Sequence, residues 1–169
     1  MADDTRSIFI TGLRNAHAME NQALSIMKPQ ISRIENYPAV ARRLEDHYRE
    51  TEAQIARLES VLGELDEAPS TIKDWALSAG GSMAAIGHSL AGDEILKNTF
   101  ANFAFENYEI AAYKSLLIIA ELGGFAFSSE PLTVSLREEE AMAGWLSENL
   151  KSVIHDFVSL SESGETAKV

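Results

Sequence analysis

One long apolar helix most constrains the fold of this chain. The stretch from Asp93 to Gly123 reads as a single helix of about 30 residues, or roughly 45 Å. Its second half is apolar around most of its circumference, which is typical of a helix at the centre of a bundle. Two acids, Glu106 and Glu109, nevertheless fall on or beside its apolar stripe, and a buried carboxylate is costly unless it is paired, protonated or bound to a metal. The stripe predicted to face the core comprises Phe103, Ile110, Tyr113, Leu117 and Ala120.

Three further stretches have helical periodicity and carry polar groups where the pattern calls for apolar ones. Glu20 interrupts the stripe of the first helix, and Glu139 interrupts that of the last. In the second helix, His47 and Glu50 are three residues apart, so both side chains lie on one face, and Gln54 continues this polar line. A helix presents two ligands to one ion with this spacing. The three predicted helices span residues 5–34, residues 38–64 and residues 131 to about 158.

The acids of these helices are expected at a common height. Helices joined by short turns pack antiparallel, so residues equally far from the turn come level with each other. This places Glu20 beside Glu50, and Glu109 beside Glu139. The sequence therefore predicts an all-α four-helix bundle with a carboxylate cluster in its core, rather than acids scattered over its surface.

Composition limits the ligands and partners of such a cluster. The chain has no cysteine, so a metal has to be held by oxygen and imidazole, which suit iron, manganese or zinc. A formal net charge of −12 argues against nucleic acid and against anionic membrane surfaces as partners. The sequence shows neither an apolar signal segment nor a run long enough to span a membrane, so a cytoplasmic protein is expected.

The connection between the two helix pairs and the end of the sequence are predicted to be less regular. Residues 66–92 read as a long crossover, and within it Thr71 and Asp74 resemble the capping box of a shorter fifth helix that ends by Gly87. Asn36 is predicted to cap the second helix. Residues 1–158 would then form the bundle, and the polar residues 159–169 a mobile tail.

A second apolar line on the long helix suggests self-association. It lies away from the stripe predicted to face the core, and an uncovered apolar patch of this size usually marks an interface. A homodimer is therefore expected. The line comprises Phe105, Ala112, Leu116 and Ile119.

Four segments resemble the ferritin-like YciE/YciF-type bacterial stress proteins. They are AHAMENQAL around Glu20, HYRETEAQIARLE from His47, ENYEIAAYKSL from Glu106 and REEEAMAGWL around Glu139. The resemblance covers about residues 8–150. It implies a ferritin-like bundle with a long crossover and a di-iron carboxylate site, with two ions per chain. Glu106 and Glu109 also match the E-x-x-E pair of rubrerythrin-type sites.

The histidines depart from the pattern of that family. Ferritin-like sites usually carry Glu-x-x-His on the second and fourth helices, but Ala53 and Met142 stand where those histidines would be. His47, which precedes its glutamate instead of following it, is then the best candidate for a nitrogen ligand, and His17 is expected to lie outside the ligands themselves. The predicted metal ligands are Glu20, His47, Glu50, Glu106, Glu109 and Glu139.

Two classes of function follow from this cluster. In the first, two carboxylate-bridged ions react with O2 or peroxide, and the protein is an oxidoreductase. In the second, the metal is structural or absent, and the protein is a non-enzymatic structural or interaction protein of the stress response. A cluster of acids without metal would instead have raised carboxylate pKa values.

Overall fold

The described parts of the chain fold into four long helices. The structure, a computed structural model, describes residues 2–69 and 91–169, and every regular element in these ranges is helical, which confirms the all-α prediction. None of the described helices is long and apolar enough to cross a membrane. The fifth helix predicted within residues 71–87 lies outside the described residues. The elements are α1 (Ala2–Ile31), α2 (Pro38–Gly63), α3 (Glu94–Gly123), a 3-10 turn (Ala126–Ser128) and α4 (Ser129–Ser163).

The four helices form a bundle in which α1 packs against α2 and α3, and α4 packs against the same two helices. Gly124 ends α3 with a left-handed backbone (φ 72°), a conformation that glycine adopts without steric penalty. Two apolar clusters fill the core. One lies at the end of the bundle where α1 begins and includes Phe9, Leu58 and Leu132; the other lies at the opposite end and includes Met27, Leu44 and Leu146. Between them lies a layer of buried polar side chains, which includes Glu20, His47, Glu106 and Glu139.

The core-facing side of α3 differs from the predicted stripe. Leu116, which was expected to face outward, is buried in the core, whereas Leu117 is only partly buried. Phe105 and Ile119 are also partly covered by the chain itself. Tyr113 and Ala120 are buried as predicted, but the prediction was wrong in placing Leu117 and not Leu116 in the core. The homodimer stays a prediction, but the uncovered apolar line that suggested it is largely covered in the structure.

The end of the sequence is fastened to the bundle. The tail was predicted to begin at residue 159, but α4 continues to Ser163 and the following residues bind the α1–α2 turn and α3. The Tyr37 hydroxyl donates to the carbonyl of Ala167 (2.6 Å), and the Asn36 side chain donates to the carbonyl of Thr166 (2.7 Å). Asn36 therefore binds the tail, and Tyr37, not Asn36, occupies the N-cap position of α2.

The tail also caps the start of α3. The Ile95 amide, one of the first in that helix, donates to the carbonyl of Lys168 (2.9 Å), and the Lys168 ammonium lies 3.5 Å from the buried carboxylate of Glu94. The backbone N–H groups at the start of a helix lack partners within the helix, so the tail carbonyl satisfies one of them. The Arg33 guanidinium, 2.7 Å from the same carboxylate, connects the α1–α2 turn to this point.

We expect Tyr37→Phe to lower the free energy of unfolding by about 1–3 kcal/mol, because it leaves a buried carbonyl without its hydrogen bond. Urea denaturation of both proteins measures the difference. Tyr108→Phe is the matched control, since Tyr108 is 64% exposed and its loss of a hydroxyl should be nearly neutral. Equal stability of the Tyr37→Phe variant and the wild type would show that the tail contributes little.

Candidate metal centre

Four potential ligands from three helices converge in the polar layer. His47 of α2, Glu106 and Glu109 of α3, and Glu139 of α4 each offer one ligand atom, and these atoms all lie within 4.8 Å of one another. The Nε2 atom of His47 lies 3.2 Å from Oε2 of Glu106 and 3.5 Å from Oε2 of Glu139. Glu106 and Glu109 lie on one face of α3 because they are three residues apart. The group is compact enough to surround one metal ion.

Glu20 lies beside this group on α1. Its charge acts on Glu109 and Glu139, and its own Oε1 accepts a hydrogen bond from the Tyr113 hydroxyl (2.6 Å). Glu20 and Tyr113 are both fully buried, so the phenol holds the carboxylate in one orientation. The structure thus brings together five of the six predicted ligands.

The pKa values of three buried acids, Glu20, Glu109 and Glu139, are raised. Burial is the largest cause in each case: it raises the pKa of Glu20 to about 7 despite the hydrogen bond from Tyr113, and that of Glu139 to about 10. Burial and the neighbouring carboxylates also hold the pKa of Glu109 well above its ordinary value. Without a cation these acids bind protons at neutral pH, because a buried negative charge is unfavourable.

The pKa of His47 is also raised, but here burial lowers it and its neighbours raise it. Burial alone lowers its pKa, but Glu106 and Glu50, which face its two ring nitrogens, together with Glu139 outweigh that effect and raise the pKa to about 10. The metal-free site therefore holds an imidazolium among the carboxylates. A divalent ion would replace this proton, since a metal ligand must be the neutral imidazole.

The donors that remain free fit a metal ion. Both carboxylate oxygens of Glu109, both of Glu139 and one of Glu20 are buried and have no hydrogen-bond partner within the described parts of the chain. Buried polar atoms are normally hydrogen-bonded, so such a concentration of unpartnered oxygens requires an explanation. Carboxylate oxygens with one imidazole form a ligand set that suits iron, manganese or zinc.

Glu50, the sixth predicted ligand, lies behind His47 and outside the group of four. Its Oε2 accepts a hydrogen bond from His47 Nδ1 (2.9 Å) and another from Arg43 (3.0 Å), and its side chain is 32% exposed. The bond from His47 lowers the pKa of Glu50 and leaves Nε2 directed at Glu106. A carboxylate in this position fixes the tautomer and orientation of a metal-binding histidine. The i, i+3 spacing of His47 and Glu50 thus places Glu50 against Nδ1 of His47, outside the group of four.

We expect Glu50→Gln to weaken metal binding about 10- to 100-fold, because an amide orients the imidazole less firmly than a carboxylate does. Competition with a chromophoric chelator measures the affinity. Glu52→Gln is the control on the same helix, since Glu52 is exposed. If the two variants bind equally well, Glu50 does not support the histidine.

Sequence reasoning missed a polar group on the α2–α4 side of the site. The Arg57 guanidinium binds both carboxylate oxygens of Glu138 (2.7 and 2.8 Å), and the Gln54 side-chain amide donates to the same carboxylate (3.0 Å). The sequence pattern indicates only that Gln54 continues the polar line of His47 and Glu50. Glu139 is the buried member of its run, and Glu140 lies at the surface with Lys114, so the predicted phase of α4 is correct.

The other histidines in the described parts of the chain lie away from the four potential ligands. His17 contacts Glu59 (3.1 Å) on α2, and His155 is exposed on α4. His88 lies outside the described residues.

The fold and sequence match known proteins along most of their length. A family model described as a domain of unknown function (DUF892) matches residues 4–159. The crystal structure of a protein from Xanthomonas campestris is 30% identical with a TM-score of 0.79, and the match covers 94% of this chain and 99% of that one. YcfI from Rhodopseudomonas palustris is 27% identical with a TM-score of 0.74, over 85% of this chain and 92% of that one.

A further solved structure is the Escherichia coli stress protein YciF. It is 23% identical with a TM-score of 0.75, and the match covers 85% of this chain and 92% of YciF, which shows a shared fold. These matches confirm the resemblance to YciE/YciF-type proteins that the four sequence segments indicated. The chain belongs to the DUF892 family.

Proposed function

We propose that this protein binds two divalent metal ions, with iron as the foremost candidate, in the polar layer of its bundle and that it acts on O2 or peroxide. The observation that carries the proposal is the convergence of His47, Glu106, Glu109 and Glu139 within 4.8 Å, with buried carboxylate oxygens that lack hydrogen-bond partners in the described ranges. Unpaired buried acids are costly, so their retention in one layer is best explained by a cation.

The charges support two ions rather than one. Glu20, Glu106, Glu109 and Glu139 supply four negative charges when all are ionised, and two divalent ions balance them. The group of four around His47 would hold the first ion. Glu20, with oxygens of Glu109 and Glu139, would hold the second.

Bound iron supplies the redox chemistry, since an oxygen-rich ligand set supports exchange between ferrous and ferric states. The residues of the chain provide the rest. Glu50 orients the imidazole of His47, and the Tyr113 hydroxyl holds Glu20 in place. The apolar clusters above and below the layer exclude water from two sides. Because one protein of the same fold is a stress protein, we include a role in the stress response in the proposal.

Anaerobic reconstitution with ferrous iron tests the proposal. We expect about two iron ions per chain and, after addition of O2 or peroxide, consumption of oxidant in proportion to bound iron. A Glu50→Ala, Glu109→Ala double variant should carry far less iron. Equal, sub-stoichiometric iron in both proteins would refute the site. Full loading without consumption of oxidant would leave the metal structural and refute the enzymatic part.

A further inference from the structure

We propose that Gln54 is a neutral oxygen ligand of the second ion, the one that Glu20 would hold. This assignment rests on the proposed function and adds a ligand that neither the sequence pattern nor the group around His47 contains. Gln54 lies on α2, is 0% exposed, and its Oε1 has no hydrogen-bond partner among residues 2–69 and 91–169.

The orientation of the Gln54 amide follows from its other end. Nε2 lies 3.0 Å from Oε2 of Glu138, and a carboxylate accepts hydrogen bonds, so the NH2 group must be on this side. Arg57 donates to both oxygens of Glu138, so this carboxylate acts as an acceptor toward its neighbours. Oε1 therefore points away from Glu138, on the opposite side of a planar group that is wholly inside the bundle.

Gln54 lies on α2 between His47 and Leu58, on the side of the polar layer nearer the apolar cluster that contains Phe9. Gln54 is two turns beyond His47 on the same helix face, and Thr51 between them binds back to the carbonyl of His47. The amide donates to Glu138, the neighbour of Glu139 in sequence, so Gln54 lies alongside the turn of α4 that carries Glu139. His47 would serve the first ion, and the second would lack a ligand from α2 unless Gln54 provides it.

The hydrogen bonds of a second buried glutamine provide a comparison. Gln30 of α1 exchanges two hydrogen bonds with Asn102 of α3, at 3.2 and 2.9 Å, so both ends of its amide are satisfied. Gln54 has the same side chain and is at least as deeply buried, but only its donor end is satisfied. The unused acceptor is thus a feature of the polar layer, not of buried glutamines in this protein.

The chemistry of an amide oxygen suits this place. It is a hard, neutral donor of the kind that divalent cations accept from asparagine and glutamine. A glutamate at this position would add a fifth negative charge to a layer whose four acids already balance two divalent ions. Gln54 therefore completes the coordination of the second ion without changing the charge balance.

Titration of the metal-free protein with Co(II) alone, followed by its absorption spectrum and by elemental analysis, tests the assignment. We expect two ions per wild-type chain. Gln54→Leu should bind the first ion as the wild type does and the second at least tenfold more weakly. Gln54→Asn, whose amide is one methylene shorter, should behave in the same way. Gln54→Glu should still bind two ions, because it keeps an oxygen in place.

Gln30→Leu is the matched control: it also removes a buried glutamine, but it should bind two ions with wild-type affinity. Thermal unfolding without metal separates a ligand from a structural residue: Gln54→Leu, which breaks one hydrogen bond and removes an unpartnered oxygen, should melt higher than Gln30→Leu, which breaks two. Wild-type affinity for both ions in Gln54→Leu and Gln54→Asn would overturn the assignment and leave the proposed function intact. A wild-type protein that binds no Co(II) would overturn both.

Discussion

Raising the pH of the metal-free protein from 5 to 8 is expected to lower its free energy of unfolding by at least about 3 kcal/mol, the opposite of the usual behaviour of paired acids. Glu20, whose pKa rises from 4.5 to about 7, by itself contributes about 2.5 kcal/mol over this range, because one pKa unit corresponds to about 1.4 kcal/mol. Glu139 and Glu109 act in the same direction.

The sign follows from the protons bound in each state. Above pH 4.5 the unfolded chain has released the protons of these acids, whereas the folded chain retains them until the pH passes their raised pKa values. His47 adds to the effect, because its pKa of about 10 lets the folded protein hold a proton that the unfolded chain loses near pH 6.5. The folded state therefore binds more protons than the unfolded state, and its stability falls as the pH rises.

Urea denaturation in the presence of a chelator, repeated across this pH range, measures the slope. Glu20→Gln should make the slope shallower, since it removes one of the retained protons. Saturating divalent metal should reverse the slope, because metal displaces the protons and binds more tightly as they are lost. Constant or rising stability of the metal-free wild type between pH 5 and 8 would contradict the prediction.

Replacing Glu109 by glutamine is expected to change stability in opposite directions with and without metal. Both carboxylate oxygens of Glu109 lack hydrogen-bond partners in the described residues, so at pH 8 the metal-free variant should be more stable by on the order of 2 kcal/mol. The wild type should gain about 3 kcal/mol from metal at a hundredfold excess over its dissociation constant, and the variant should gain almost none.

Thermal and urea unfolding of both proteins, each with chelator and with Zn(II), distinguish these effects. Glu121→Gln provides the control, because Glu121 is an exposed acid on the same helix. It should follow the wild type under all conditions. A Glu109→Gln variant that is less stable without metal, or that gains as much from Zn(II) as the wild type, would show that Glu109 has a structural role.

The candidate site could be predicted largely from interrupted periodicity. In α1 and α4 the apolar stripes are clear, so Glu20 and Glu139 were recognised as inward-facing acids, and both are fully buried. His47 and Glu106 were likewise placed in the polar layer where the structure has them. The apolar residues of a helix show which of its faces lies toward the core, so an acid within that stripe is expected to point inward.

The phase of α3 could not be read in the same way. That helix is apolar on most sides, so shifting its stripe by one residue changes the pattern little, and Leu117 was chosen where Leu116 is buried. The role of Glu50 also depends on side-chain direction, because i, i+3 spacing is equally compatible with two ligands and with a ligand and its support. Sequence spacing alone cannot separate these two cases.

The contacts of residues 164–169 with the bundle could not be predicted from the sequence, for a different reason. Residues 164–169 are polar and resemble a disordered end, but their contacts are made by backbone carbonyls, which every residue type has. Composition and periodicity describe side chains, so they carry no signal for such contacts. The same holds for the use of Asn36 as a partner of the tail instead of a helix cap.

The attachment of this tail has a consequence for the order in which the chain matures during translation. Residues 166–169 leave the ribosome after all four helices, yet they join the α1–α2 turn to the first turn of α3. The helices can therefore pack on one another before these contacts form. A chain that lacks residues 166–169 would be without the carbonyl that accepts from the Ile95 amide and the one that accepts from the Tyr37 hydroxyl.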